Sequence, residues 1–494
     1  MSYAGKGFYV TTPIYYPNAK LHMGHAYATT LCDILARYHR ALGEPTYFLS
    51  GADENTQKVV QAAEAAGVTP QAYLEEIVAG FQHLYGELSI SNDQFIRTTD
   101  QRAHWPGAQA LWMRLVEAGD IYRATYRGLY CVGAESFVTE KDLRAGGLCP
   151  DHDEEPQVLE EDNYYFRLSR YTDTLRHKIE TDELRILPAS RKGEILALLR
   201  EGLADISFSR PKEKVPMGIP VPHDESQVMY VWCDALTNYL SALGYGREDT
   251  TLFSQFWPAD VHVVGKDILR FHAAIWPAML LSAGLPLPRA ILVHGMITSG
   301  GRKMSKSLGN VIDPLALVEE YGTEAVRYYL AREISPFEDG DITLESFHEA
   351  YNAQLANGLG NLTARIMTMA EKYLPAPRDT HHAFPERYQE AFADFDVKRA
   401  MDTAWAEVAE LDRYIQETQP FKLVKIHREG GIAIIEELVD RLGHVAHLLT
   451  PFLPDTAARI KDAIARNAKP AEPLFERKEL PAGGAAAPSG AEAS

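Results

Sequence analysis

Apolar residues alternate between two spacings in the first part of the chain and settle into one in the second. Residues 7–12 (GFYVTT) combine aromatic and β-branched side chains with no helical period, which predicts a short buried strand. Over residues 26–42, apolar side chains recur at Tyr27, Leu31, Ile34, Leu35, Tyr38 and Leu42, a helical face that stops at Gly43 and Pro45. Residues 46–51 (TYFLSG) predict a second strand, followed by helical stretches over 55–66, 70–86 and 104–118. Between residues 121 and 220 the pattern changes to short strands, turns and acidic loops. Strands resume at 227–231 (QVMYV), 260–264 (DVHVV) and 289–296 (RAILVHGM). Beyond Pro314 the spacing is almost wholly helical, over 315–333, 344–373, 385–419 and 431–466. Alternating strands and helices predict an α/β fold with a parallel sheet covered on both faces. The later run predicts a helical bundle. There is no internal repeat.

This pattern puts particular chemistry in particular places. His22-Met23-Gly24-His25 falls where the first strand hands over to a helix N-terminus, with backbone N–H groups and the positive end of the helix dipole directed outward. Gly24 allows close approach to the backbone, and two imidazoles three residues apart can donate to phosphate oxygens. Far along the chain, Ser299-Gly300-Gly301 precedes Arg302-Lys303-Met304-Ser305-Lys306-Ser307, a cationic loop suited to closing over a polyphosphate. Asp53 lies at the end of the second strand, placed either to receive a substrate ammonium or to cap the following helix. Lys266 ends the strand at 260–264. Ligands of parallel sheets bind beyond the carboxyl ends of the strands, so all these residues are expected on one edge.

Composition narrows the class. The 494 residues, 46% hydrophobic and 24% charged, suit a globular chain of about three domains. The start MSYAGKGFYVTT has neither a long apolar stretch nor a small-residue cleavage site, and no run approaches the ~18 apolar residues of a membrane span. With only four cysteines, a reducing, cytoplasmic location is expected. A net charge of −19 disfavours indiscriminate nucleic-acid binding while leaving room for one specific partner held by a local basic track. Cys131 and Cys149-Pro-Asp-His152 suggest paired zinc knuckles, but Ala134 stands where a fourth ligand belongs. Asp151, Asp153 or water would have to complete the set of Cys131, Cys149 and His152, so zinc is expected to be weak or absent.

HMGH and KMSKS, in this order, resemble the signature pair of the class I aminoacyl-tRNA synthetases. The segments TTPIYYPNAKLHMGH, VWCDALTNY, GKDILRFHAAIWPAML and GRKMSKSLGNVIDP narrow the resemblance to the methionyl-tRNA synthetase family, over nearly everything up to residue 466. That family activates methionine with ATP and Mg²⁺ and transfers it to the terminal adenosine of tRNA(Met). The resemblance implies that Ile14, Tyr16, Trp232, Ala235, Tyr239, Ile268 and His272 line a methionine pocket, with Asp53 on the amino group. A polarisable, uncharged thioether suits aromatic walls. It further implies that His22, Gly24, His25, Lys303 and Lys306 bind ATP, the histidines and lysines also stabilising the transition state, with Lys266 near the nucleotide. Asn357-Gly-Leu-Gly-Asn361-Leu-Thr-Ala-Arg365 resembles the family's anticodon-reading helix, supplying Asn361 and Arg365. Phe421 stands where a base-stacking tryptophan is usual.

The expected layout is a Rossmann-like catalytic domain in two halves, 1–120 and 221–312, split by a connective insertion at 121–220. A linking helical region (313–345), an anticodon-binding helical domain (346–468) and a disordered tail (469–494) complete it. A monomer is expected. Asn55-Thr56 replaces the His-Gly common in the family, and Met217 replaces a common tryptophan. Synthetases for leucine, isoleucine or valine share both signatures but need a far longer insertion to house an editing domain; this one is of ordinary domain size, about a hundred residues. A small adenylyltransferase would not need the bundle. A catalytically silent tRNA-binding paralogue would not need the intact histidines and lysines.

Overall fold

Six strands run in one direction through the principal sheet: β1 (Phe8–Thr11), β2 (Thr46–Ala52), β3 (Gln94–Arg97), β4 (Arg185–Leu187), β5 (Val261–Gly265) and β6 (Ala290–His294). Their spatial order is β3-β2-β1-β5-β6-β4, every neighbouring pair being parallel. The computed structural model describes residues 7–17, 21–132, 136–138, 143–149, 154–304, 310–377 and 381–479, and for residues 57, 58, 126, 136 and 137 the backbone alone. Contacts divide the chain into two compact units, one of Met1–Leu21, Glu44–His83 and Ser91–His294, the other of His22–Gly43, Leu84–Ile90 and Gly295–Ser494.

The sheet belongs to the first unit. Its central strands are buried on both faces, as their unbroken apolar runs require: Tyr9, Val10, Phe48, Leu49, Val261, Val263, Ile291 and Leu292 all lie inside. Asp260 fastens β5 to β1. One of its oxygens accepts the Tyr9 N–H at 2.8 Å and the other pairs with Arg289 at 2.5 Å. The outer strand β4 lies within residues 121–220, the stretch expected to interrupt the sheet, yet it pairs with β6. A strand of three residues carries too little pattern to be read from spacing, and the four residues of β3 escaped in the same way. The rest of the insertion builds its own sheet, in which Ile121–Cys131 runs antiparallel to both Ser136–Val138 and Gln157–Phe166.

The second unit is helical. Its first helix, Met23–Ala41, packs with helices from the far end of the sequence: Tyr38 stacks on Phe392 at 3.8 Å between ring centroids, with planes 9° apart. Arg327, on helix Thr323–Arg332, has no exposed surface. It pairs with Asp33 at 2.7 Å and donates to the carbonyls of Phe452 (2.8 Å), Leu88 (3.1 Å) and Pro451 (3.2 Å). Arg37 also reaches Asp33, at 2.7 Å. The remaining helices include Asn361–Tyr373, Val397–Thr418, Pro420–Ile426, Arg428–Leu449 and Pro454–Arg466.

Residues 469–479, expected to belong to a disordered tail, pack instead. Leu474 is buried, Arg459 donates to the carbonyls of Glu472, Pro473 and Leu474, and Tyr351 donates to that of Glu476 at 2.7 Å. The apolar Leu474-Phe475 pair supplies an anchor that the surrounding low-complexity sequence obscures. The rest of the expected tail, from residue 480, lies outside the described residues. No helix among the described residues is long and apolar enough to cross a membrane.

Replacing Arg327 by methionine should leave three carbonyls without their donor and remove a cationic partner of Asp33. Urea unfolding followed by the helical signal should show a loss of about 3–5 kcal/mol. Asp33→Asn, which keeps hydrogen bonding, should cost less, and equal losses would rule out the ion pair as the source.

Candidate active site

In the first unit, strand order reverses direction between β1 and β5, so the crevice beyond their carboxyl ends is the place where such sheets bind ligands. The chain leaving β1 runs on through Ile14, Tyr15 and Tyr16 and pairs with the end of β2. Tyr15 donates to Gly51 O at 3.0 Å, and Asp53 N–H donates to Tyr15 O at 2.9 Å. Gly51 permits this packing, because a Cβ there would lie 2.2 Å from Ile96 O and 2.9 Å from Ile14 Cγ2. Tyr16 and a buried Asp53 are therefore fixed by one short ladder.

Most of the expected side-chain wall comes together beside this ladder. Trp232, on helix Val231–Leu236 with the buried Ala235, stacks on Phe271 at 3.7 Å. It meets Tyr16 edge-on at 6.5 Å and His272 edge-on at 6.3 Å. Ile14, Tyr16 and Ile268 are half-buried against the same core. Lys266 opens the turn Lys266–Ile268 directly after β5 and is partly exposed.

His272 is held in one tautomer. Its Nδ1 faces the Ile268 carbonyl at 3.0 Å, and a carbonyl only accepts, so Nδ1 carries the hydrogen. Nε2 then accepts from the Tyr239 hydroxyl at 2.8 Å. Burial pushes the ring down to about 4, outweighing the opposite pull of the Ile268 carbonyl and Asp267. Behind it, the buried His262 accepts from Trp276 Nε1 at 3.3 Å and donates from Nδ1 to Thr11 Oγ1 at 2.8 Å. Burial, and then His272, hold it well below the usual histidine range. Two imidazoles thus back the wall uncharged. His262, Phe271 and Trp276 were not among the expected residues. The one sequence signal for the first was a histidine among the valines of the DVHVV strand. Phe271 lies where Phe271–Ile275 winds as a π-helix, so its face does not follow helical spacing.

In the second unit, the two histidines of HMGH cap their own helix. His22 Nδ1 accepts from Gly24 N–H and His25 Nδ1 from His22 N–H, each at 3.1 Å, and the rings lie 3.9 Å apart. Accepting at Nδ1 puts the ring hydrogen of each neutral imidazole on Nε2, a donor at a helix N-terminus. Lys303 is exposed on the two-residue strand Arg302–Lys303, joined to Ile297–Ser299 by a hairpin. Its turn residues Gly300 and Gly301 have φ of 60° and 70°, the conformation a tight hairpin demands and side chains resist. Asp341 accepts from Gly301 N–H at 2.8 Å, and Asn310 donates to the carbonyls of Ser299 and Lys303, fastening the base of the loop. Lys306 lies outside the described residues.

Asn361 opens helix Asn361–Tyr373 and is exposed, while Arg365, one turn on, pairs with Asp412 at 2.5 Å. Phe421 is 42% exposed, on a short helix that buries Pro420 and Val424 instead. In the insertion, Cys131 and Cys149 pack with Leu129, Val138 and Leu143. Residues 134 and 150–153, including His152, lie outside the described residues, and Ala134 has no donor atom in any case. The described part of this donor set does not amount to a zinc site.

Comparison with known proteins agrees with this arrangement. The family model described as tRNA synthetases class I (M) matches residues 8–155 and 148–367. The methionine--tRNA ligase of Clostridium acetobutylicum is 43% identical over 473 residues, 92% of this chain and 73% of that protein. That of Thermotoga maritima is 40% identical over 490 residues, 95% and 77% of the two. The crystal structure of Mycobacterium tuberculosis methionyl-tRNA synthetase bound by methionyl-adenylate superposes with a TM-score of 0.88 at 37% identity, covering 95% of this chain and all of that one. Its apo form gives 0.83 at 34% identity. Sheet order, signature motifs and similarity along nearly the whole chain converge: this protein belongs to the methionyl-tRNA synthetases, within class I of the aminoacyl-tRNA synthetases.

Proposed function

We propose the following division of labour for the ligase reaction. Asp53 receives the methionine ammonium, and Ile14, Tyr16, Trp232, Ala235, Tyr239, Ile268 and His272 enclose the thioether. The methionine carboxylate attacks the α-phosphorus of ATP, forming methionyl-adenylate and releasing pyrophosphate. His22 and His25 donate from Nε2 to phosphate oxygens as charge builds up, and Lys303 and Lys306 grip the departing pyrophosphate, with Gly24 and Lys266 near the nucleotide. The methionyl group then passes to the terminal adenosine of tRNA(Met). Asn361, Arg365 and Phe421 read the anticodon. The observation that carries this reading is the uncharged wall of Tyr16, Trp232, Phe271 and His272 beside a buried carboxylate. An apolar side chain and an ammonium on one small molecule need both.

Mg²⁺ would screen the triphosphate. Among the described residues no group of three or more His, Cys, Asp or Glu is placed to hold a metal, so no step is assigned to it. Zinc likewise enters no step.

Amino-acid-dependent exchange of labelled pyrophosphate into ATP, run with each of the twenty amino acids, tests the assignment, and methionine alone should support rapid exchange. Lys306→Ala should slow adenylate formation by about 10²-fold or more with methionine binding nearly unchanged, because the lysine acts on transition-state charge. A loss of affinity with turnover intact would remove it from this role.

Phe421→Ala should cost roughly 1–3 kcal/mol in tRNA recognition, the range for base–aromatic stacking, seen in aminoacylation and absent from pyrophosphate exchange. Phe421→Trp should be neutral or mildly favourable. A lowered melting temperature with tRNA affinity intact would make Phe421 a packing residue.

The pH dependence follows from His272. Its folded pKa of about 4 lies below the ordinary 6.5, so the stability it contributes is complete above about pH 6.5. As pH falls towards 4 the unfolded chain takes up a proton that the folded chain refuses, and up to about 3 kcal/mol is lost. His262 acts in the same direction. Melting temperature should therefore drop between pH 7 and 5 more steeply in the wild type than in His272→Gln, and parallel slopes would refute the neutral assignment.

A further inference from the structure

A single buried carboxylate ties together the parts of the first unit that carry the proposed methionine contacts. Asp234 lies on helix Val231–Leu236, two residues after Trp232 and one before Ala235, and is 1% exposed. Its Oδ2 accepts from Asn55 Nδ2 at 2.8 Å, and its Oδ1 from His104 Nε2 at 2.7 Å. Asn55 follows Asp53 by two residues, and the same Nδ2 also donates to Thr98 O at 3.0 Å. His104 directly precedes helix Trp105–Glu117, and its Nδ1 meets Ser241 Oγ at 2.8 Å. Asn55, His104 and Ser241 are all buried.

The amide orientation is forced. Two acceptors face one end of the Asn55 side chain, so the NH₂ must be there, each hydrogen serving one acceptor. The other end, Oδ1, is buried with no hydrogen-bond partner. A carboxylate removed from water depends on its donors, and the loss of one is costly. Those donors come from the Asp53 loop and from the start of a separate helix, so meeting the demands of Asp234 also sets the distance between Asp53 and Trp232.

We infer that Asn55, Asp234 and His104 form a positioning network that sets the spacing between the ammonium-binding carboxylate and the thioether-binding wall, and so governs methionine affinity. The inference rests on the methionine contacts proposed above for Asp53 and Trp232. One amide nitrogen, with two hydrogens, serves Thr98 O and Asp234 together.

The test is steady-state pyrophosphate exchange on the full chain. Asn55→Asp sets a second carboxylate against Asp234 and should raise the KM for methionine about ten-fold, with the KM for ATP within about two-fold of wild type. Adding Asp234→Asn in the same chain removes the repulsion between the two side chains, although Thr98 O still lacks its donor, and should bring the methionine KM back to within about three-fold. A general loss of packing would not produce this split or this rescue. If Asn55→Asp fails to fold, Asn55→Ala should show the same split at about three-fold. A folded variant with unchanged methionine KM, or with both KM values raised together, overturns the inference. Asp53→Asn run in parallel separates the two readings. If it leaves the methionine KM unchanged, the proposed pocket itself is wrong; if it raises that KM while the Asn55 variants do not, only the positioning network fails.

Discussion

A carboxylate deprived of water must be surrounded by donors, and the chain can supply enough of them only by bringing distant segments together. Much of this protein's internal order follows from that constraint. Asp260 joins β5 to β1 through the Tyr9 N–H and to the start of β6 through Arg289. Asp33 gathers Arg37 from its own helix and Arg327 from a helix nearly three hundred residues later. Asp234 draws in Asn55 and His104. Each acid would be a liability alone. With its donors in place it fixes where a segment of the chain lies: the first strand of the parallel sheet, the helix headed by HMGH, or the helix bearing Trp232.

Histidine shows how far surroundings decide the work of one residue type. His262 and His272 lie in the interior of the first unit, where burial denies them charge and their neighbours fix their tautomers. Neutral rings of this kind suit a pocket for an uncharged, polarisable side chain. His22 and His25 spend Nδ1 on the backbone of their own helix, which leaves the hydrogen on Nε2. The capping that stabilises the helix start therefore also prepares the donors that the proposed phosphate contacts require. The structural duty and the proposed chemical one fall on the two nitrogens of the same ring.

The sequence by itself determined the strand–helix alternation, the helical second half and the two signature motifs, because those features depend on spacing within a dozen residues. It also put Asp53 and Lys266 at strand ends, since a strand's end is marked locally by where its apolar run stops. What it did not show depends on partners far apart in the chain. Three-residue β4 is a strand only because β6 lies beside it. Phe271 joins Trp232 through a π-helical stretch that helical spacing does not anticipate. Leu474 is buried where the carbonyls of its segment accept from the Tyr351 hydroxyl, more than a hundred residues earlier, and from the Arg459 guanidinium. Nothing near Asn55 announces that Asp234 will be its acceptor. Periodicity records which face of an element is apolar; which buried acid meets which donor is settled only when the tertiary fold removes both from water.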